Sequence, residues 1–581
     1  MTAVAHGIPR HSEAVSLVRP STREEMDAAV DAARAAKDRW AAVPPSERVR
    51  ILDGLLRDFA AVAERWVDAS LEAKGGEPGG ILAAEEWISG PFCVLRNLRL
   101  LRGAMTDVAR RGAPRIPGPI WKREDGQVAA GIFPAGMWDR LFYAGVTAEI
   151  WMRAGVTTET VRETQAVAYG PSADSGGVAL VLGAGNVSSI GPMDTLYKLF
   201  VENRVVIYKA HPVNAFLGPL MEEAFRRLGE RGALRIVYGG AAEGEYLCRH
   251  AGVDEIHITG SDKTYEAIVF GSGPEGERRK GERQPLLSKR ITAELGNVSP
   301  VVVVPGPWSA SDFRYQAANI VSMLTNNAGF NCNAARVIVT DAGWPGRRRL
   351  MDEIRSLLRR VPTRRAYYPG SATRAAAFTA VHPEAERFGE PGEGALPWTL
   401  IAGMTARRSV DVCYTTEAFC GLFAETGVEC EDVPDFLAKA VRFCNETLWG
   451  TLNATILVHP RSEMDAEGHE AVERAIRDLR YGSVSINHWA AISYALGVTT
   501  WGAYPGQPPD DIQSGTGVVH NTLMFSRVEK SVVRAPFRVR PTPPWFVTNR
   551  AAGRLAPKLA RFEAGPSLAK AIGVMRTAIW G

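Results

Sequence analysis

The chain has 581 residues, 46% of them hydrophobic and 23% charged, which is more than one hydrophobic core supports, so two or more domains are expected. Its 68 basic and 64 acidic residues leave a formal net charge of +4, which gives no general argument for nucleic-acid binding. Seven cysteines without a C-x-x-C pair or zinc-type spacing point to free thiols in a reducing compartment, no apolar run is long enough for a membrane span, and the first residues show no secretory pattern; a cytoplasmic enzyme with no metal site is expected.

The capping-box pattern Ser21-Thr22-Arg23-Glu24 predicts a helix through Met26, Val30, Ala33 and Trp40 that stops at Pro44-Pro45. An amphipathic helix is expected from Ser46, because Val49, Leu52, Leu55, Leu56 and Phe59 recur at three- and four-residue spacing. Prolines and glycines break the chain from Arg111 to Pro119. After Gly170 short apolar runs alternate with helical stretches. Gly177–Leu182, Val205–Tyr208, Leu234–Tyr238 and Glu255–Ile258 read as buried strands of a parallel α/β sheet. A second series starts at Val301–Val304 and continues with Arg336–Val339, Thr455–Val458 and Ser483–Ile486. Two such sheets leave a cleft for a cofactor on one side and a nucleophile on the other. Alternating strands at Thr147–Ile150, Thr158–Val161 and Val528–Val533 are expected to pair with another chain. Towards the end, Arg550, Arg554, Lys558, Arg561, Lys570 and Arg576 alternate with Leu555, Leu559, Phe562, Ile572, Met575 and Trp580, a basic amphipathic segment split by Gly565-Pro566. It would dock on protein or, as the weaker reading, lie on an anionic membrane surface.

Candidate chemistry sits at the ends of these strands. Gly183-Ala184-Gly185 begins like a dinucleotide fingerprint, but Ser188 stands where the third glycine belongs; the residue of interest there is Asn186, whose amide can donate to an oxyanion or simply close a turn. Lys209 follows a strand at the carboxyl end where α/β sheets bind ligands, although a surface lysine fits the same place. Gly260-Ser261 precedes a helix from Asp262 towards Phe270, which suits either a pyrophosphate or a plain serine cap. Glu294 lies in an apolar strand, where a carboxylate must be paired or have a raised pKa that suits a general base. Cys332 lies in the small-residue loop Asn326–Arg336, more accessible than Cys93 or Cys444 among bulky neighbours.

Taken in order, these segments resemble the aldehyde dehydrogenase superfamily from about Ser21 to Phe537. Ala293-Glu294-Leu295-Gly296-Asn297-Val298-Ser299-Pro300 resembles its general-base motif, and Gly329-Phe330-Asn331-Cys332 its nucleophile motif. Gly185-Asn186, Val206-Ile207-Tyr208-Lys209, Ile258-Thr259-Gly260-Ser261, Glu417-Ala418-Phe419 and Trp501–Gly506 resemble the oxyanion, ribose, pyrophosphate, nicotinamide and late-loop segments. The resemblance implies an α/β fold of two parallel-sheet domains with a cleft and a bridging β-element. Its parts would be an N-terminal helical part with an enlarged insert (20–142), bridging strands (143–171), a dinucleotide-binding domain (172–292), a catalytic domain (293–520), a late loop and strand (521–545) and a C-terminal extension (546–581). It further implies Cys332 as nucleophile, Glu294 as general base, Asn186 as oxyanion donor, and Lys209, Gly260, Ser261, Glu417 and Phe419 as the binding residues for NAD or NADP. An aldehyde would be oxidised to an acid through a thioester in a homodimer or homotetramer. Three departures stand out. Asn297 replaces a glycine, Phe330 a small or polar residue, and Ala210-His211-Pro212 lacks the acid that follows the ribose lysine, which leaves NAD against NADP open. An acyl-CoA reductase and a non-catalytic scaffold of the same fold are the alternatives.

Overall fold

A computed structural model describes residues 18–171, 176–407 and 410–580. Helix α1 (Arg23–Ala41) starts one residue later than the sequence pattern suggests: Thr22 is the cap and Glu25 completes the box. Pro45 opens α2 (Pro45–Lys74), since its fixed φ and missing N–H cost nothing in a first turn. The apolar face of α2, with Leu52, Leu55, Phe59 and Trp66, is buried. Gly75 then ends the helix in the left-handed conformation. Helix α3 (Ile81–Trp87) passes through a wide turn at Ile88–Phe92, with Pro91 inside it, into α4 (Cys93–Arg111).

One sheet has six strands in the spatial order Gly515–Thr516, Arg290–Glu294, Glu255–Thr259, Val178–Leu182, Val205–Lys209 and Leu234–Val237. The last five are parallel. From Val178–Leu182 the chain first builds outward to one side and then crosses to the other, so the order reverses between Val178–Leu182 and Glu255–Thr259. Such a reversal opens a crevice at the carboxyl ends of the strands.

The other sheet has eleven strands. Its middle is parallel: Val528–Arg534, Ser483–Ile486, Asn453–Leu457, Pro300–Val303, Val337–Asp341, Leu422–Val428 and Trp398–Thr405 lie side by side. An antiparallel arm of Ile120–Lys122, Val128–Phe133 and Thr147–Met152 joins it through Val528–Arg534. The arm therefore begins earlier than the 143–171 expected for bridging strands. Two strands expected to pair with another chain, Thr147–Ile150 and Val528–Val533, instead pair with each other, and both edges of each are filled within the chain. Thr158–Val161 forms no strand: Thr157 N–H donates to Thr160 Oγ1 (3.0 Å) and Thr160 N–H to Thr157 Oγ1 (3.3 Å), which closes a turn.

The C-terminal segment docks on its own chain. Helix Ala552–Glu563 buries Leu555 and Phe562, and its buried Glu563 accepts from Arg96 Nη1 at 2.9 Å and Arg99 Nε at 2.6 Å. Arg96 and Arg99 belong to α4, so Glu563 ties the tail to that helix, and Arg96 also holds Asp139 at 2.9 Å. The following helix, Leu568–Trp580, buries Ala571 and Val574 and leaves Leu568 and Ile572 exposed; the Trp580 side chain lies outside the described residues. Among the described residues no helix is long and apolar enough to cross a membrane.

Candidate active site

Parallel pairing assembles the site. Val337 lies opposite Ala424, so the loops that precede these two neighbouring strands, one carrying Cys332 and the other Glu417 and Phe419, share one edge of the large sheet. Glu294 ends a strand of the six-stranded sheet at its carboxyl edge. Between the two edges is a cleft of about 1540 Å³, lined by Asn186, Lys209, Gly260, Ser261, Glu294, Cys332, Glu417 and Phe419. All the candidate residues thus share one cavity.

At its floor the Cys332 thiol donates to Glu294 Oε1 at 3.3 Å. Burial and then the Glu294 charge hold the thiol well above its ordinary value, with Glu417 adding to this. Burial also raises the Glu294 carboxyl to about 7; Asp194 and Glu417 push the same way, while the Trp501 indole and the thiol oppose them. A protonated thiol beside a carboxyl that titrates near neutrality is an arrangement in which the sulfur can hand its proton directly to a base. The second Glu294 oxygen is buried as well, with the Trp501 indole beside the carboxyl. Arg336 fixes the loop from below, donating to Gly329 O at 2.5 Å and to Cys420 O at 2.6 Å, while Ser299 Oγ donates to Cys332 O at 3.0 Å.

Asn186 Nδ2 donates to Phe330 O at 3.0 Å. A side-chain amide has two N–H groups, so this bond fixes the rotamer and leaves one donor for the cleft. Gly183 and Gly185 are explained by packing: a Cβ would lie 2.5 Å from the Tyr208 hydroxyl at the first and 2.3 Å from His211 Nδ1 at the second.

The remaining residues form a polar rim. Burial lowers Lys209 to about 8, and Glu243, from helix Ala241–Arg249, opposes that shift. Glu243 Oε2 accepts the Gly240 N–H at 2.6 Å, and its side chain also lines the cleft. Ser261 caps the helix Asp262–Phe270, and a Cβ on the preceding Gly260 would meet only Ile258, in ordinary contact. Burial raises Glu417 to about 7, against Arg336 and Arg374, and its Oε1 has no partner. Phe419 has a positive φ of 41°, and Arg374 lies 5.9 Å from its ring centroid.

A sequence model of the aldehyde dehydrogenase family matches residues 3–77 and 151–382, more than half of the chain. The chain belongs to the aldehyde dehydrogenase family. It is 27% identical over 303 residues to N-succinylglutamate 5-semialdehyde dehydrogenase 1 of Caulobacter vibrioides, covering 50% of this chain and 56% of the relative. Against the enzyme of that type from Novosphingobium aromaticivorans the figures are 26% over 220 residues, 37% and 42%. The chain thus spans about half the length of these relatives. Its fold is similar to NADP-dependent glyceraldehyde-3-phosphate dehydrogenase from Bacillus halodurans, with TM-score 0.60 and 18% identity over 89% of this chain and 92% of that one. An aldehyde dehydrogenase of Mycobacterium tuberculosis complexed with NAD+ gives TM-score 0.60 and 18% identity over 89% and 91%. Within this family frame the departures have physical reasons. Asn297 is accommodated because Gly450 faces it, where a Cβ would lie 2.3 Å from Asn297 Oδ1. Phe330 is fully buried and packs on Tyr367 and Phe419 at centroid distances of 5.0 and 5.9 Å, which gives the large ring its place. Sequence reasoning missed Glu243, and the buried charges Lys74, Glu85 and Glu86 behind Asn186. A glutamate three residues after Gly240 was the only local signal for the first.

Proposed function

We propose that this aldehyde dehydrogenase family member oxidises an aldehyde to a carboxylic acid with NAD or NADP, through a thioester on Cys332. The observation that carries the reading is the Cys332 thiol bonded to Glu294 inside the cleft that Asn186 also lines. A dinucleotide fits the rim on three counts: the unpartnered buried Glu417 Oε1 suits a ribose hydroxyl, the open Gly260 and capped helix suit a pyrophosphate, and Lys209 suits the other ribose. When bound, the nicotinamide supplies the acceptor for the aldehyde's hydride.

The chain's own groups do the rest. Glu294 takes the thiol proton as sulfur bonds to the carbonyl carbon, and the oxyanion is met by the free Asn186 N–H and the Cys332 backbone N–H. Once the carbon is at the thioester level and Glu294 has released the thiol proton to solvent, the carboxylate takes a proton from water as the water oxygen attacks the acyl carbon. The C–S bond then breaks, with that proton returned to the leaving sulfur as the acid forms. A carboxyl at about 7 beside the thiol supports this hydrolysis over acyl transfer to coenzyme A, which needs no base for water. The Glu243 carboxylate near Lys209 stands in for the acid missing after the ribose lysine and disfavours a 2′-phosphate, so NAD is the preferred cofactor. A homodimer or homotetramer is proposed to form through the free sheet edge at Ile120–Lys122, which light scattering would test.

The deciding experiment is nicotinamide reduction with a panel of aldehydes and both cofactors, including an acidic semialdehyde of the kind in the relatives' names. Cys332→Ala is expected to abolish turnover and leave cofactor binding intact; activity near wild type in that variant would overturn the assignment.

A further inference from the structure

Behind the oxyanion side of the cleft lies a set of buried charges that the chemistry above does not use. Lys74, the last residue of α2, pairs with Glu86 of α3 at 2.7 Å, with side-chain exposures of 3% and 1%. A buried ion pair adds little net stability over apolar packing, so stability is a weak reason for it. Its other contacts supply a better one. Lys74 Nζ also donates to the Asn186 backbone carbonyl and to Asn327 Oδ1, each at 3.2 Å. The Tyr367 hydroxyl lies 2.9 Å from the same two acceptors, and its ring covers the ammonium at 5.0 Å. Asn327 Nδ2 in turn bonds Asn186 O at 3.0 Å and Phe330 O at 3.2 Å. Glu85, paired with Arg364, accepts the Asn327 backbone N–H at 2.9 Å.

These bonds converge on a strained turn. Asn327, Ala328 and Gly329 all have positive φ, at 51°, 55° and 80°. Left-handed residues other than glycine persist only where their surroundings over-determine them. Gly329 cannot be replaced without movement, since a Cβ would lie 2.4 Å from Cys420 O. The turn carries Phe330 O, the acceptor that orients the Asn186 amide, and it delivers Cys332 two residues later.

We infer that Lys74, held by Glu86, is a positioning residue: it locks the Asn186 backbone to the 327–330 turn, so that both oxyanion donors keep their geometry about the thiol. The inference rests on the reading of Cys332 as nucleophile. Glu85 and Glu86 lie outside the stretches that the family sequence model matches, whereas Lys74, Asn186, Asn327 and Tyr367 lie inside them.

The test uses the full chain with Lys74→Met, the neutral pair Lys74→Met/Glu86→Gln, which leaves no single charge buried, and the mild Tyr367→Phe. Steady-state kinetics, cofactor Kd, and the pH profile of Cys332 alkylation by iodoacetamide, read by peptide mass, are measured on each. The Lys74 variants are expected to lose on the order of 100-fold in kcat, as for a sub-ångström to ångström displacement of catalytic groups. Tyr367→Phe should lose about 10-fold by the same reasoning. The aldehyde KM and cofactor Kd stay within about 3-fold, while the alkylation profile shifts in the Lys74 variants. A merely structural pair would lower the melting temperature and leave that profile unmoved. A folded neutral-pair variant with wild-type kcat and alkylation profile overturns the inference, as does Tyr367→Phe at full kcat if neither Lys74 variant folds. A wild type that oxidises no aldehyde defeats the functional reading instead, and the alkylation profile then judges Lys74 alone.

Discussion

Replacing Glu294 by Gln removes the base that the Cys332 thiol touches at 3.3 Å while keeping the shape of the side chain. With its carboxyl at about 7, Glu294 is roughly three-quarters ionised at about pH 7.5. Without it the thiol must ionise alone. Burial and Glu417 keep that thiol at or above its ordinary 9.0, so at most about 3% is thiolate at that pH. The hydride burst in single-turnover absorbance should therefore slow by at least about 25-fold but keep its full amplitude. Steady-state turnover should fall further, by roughly 100- to 10,000-fold, because deacylation needs the same base for water. Raising the pH should speed the burst in the variant, since a growing fraction of the thiol then loses its own proton, and leave steady-state turnover low. A burst at wild-type rate near neutrality would show that the thiol does not use Glu294. A burst whose rate does not rise with pH would place the residue in folding or binding.

Glu243→Gln keeps an acceptor for the Gly240 N–H and removes the charge near Lys209, so the ratio of kcat/KM for NADP over NAD should rise at least about 10-fold; an unchanged ratio refutes the assignment. Glu417 has a folded-state carboxyl at about 7 against an ordinary 4.5, so the fold favours its protonated form and loses stability as pH rises through that interval. Glu417→Gln is therefore expected to stabilise the cofactor-free protein by on the order of 3 kcal/mol at about pH 8 and hardly at all near about pH 5, while weakening cofactor binding; melting temperatures and titrations at both pH values check it. Glu563→Ala leaves Arg96 with Asp139 and the Leu496 carbonyl as hydrogen-bond partners, and should cost about 3–5 kcal/mol in denaturant unfolding; a change below about 1 kcal/mol would mean that the tail is not fastened there.

How much of this was legible in the sequence follows from how local each cause is. The strand Val205–Lys209 and the helix Asp262–Phe270 were readable because a buried parallel strand and a capped helix announce themselves within ten residues. Thr158–Val161 misled because β-branched residues suggest a strand only when nothing nearer competes, and here two threonine hydroxyls bond the backbone first. Alternation in Thr147–Ile150 and Val528–Val533 shows that a strand has two faces; it does not say which strand fills its edges. Lys74 was invisible for the same reason at greater range. At the end of a helix rich in charge it reads as a solvated lysine, and its partners Asn186 and Asn327 stand 112 and 253 residues away. Local pattern thus locates the groups that react, whereas the groups that hold them still are specified by pairings that only the folded chain brings together. Those pairings are concentrated where the backbone is least comfortable, at Asn327 and Ala328, because a strained turn persists only under contacts from several directions at once.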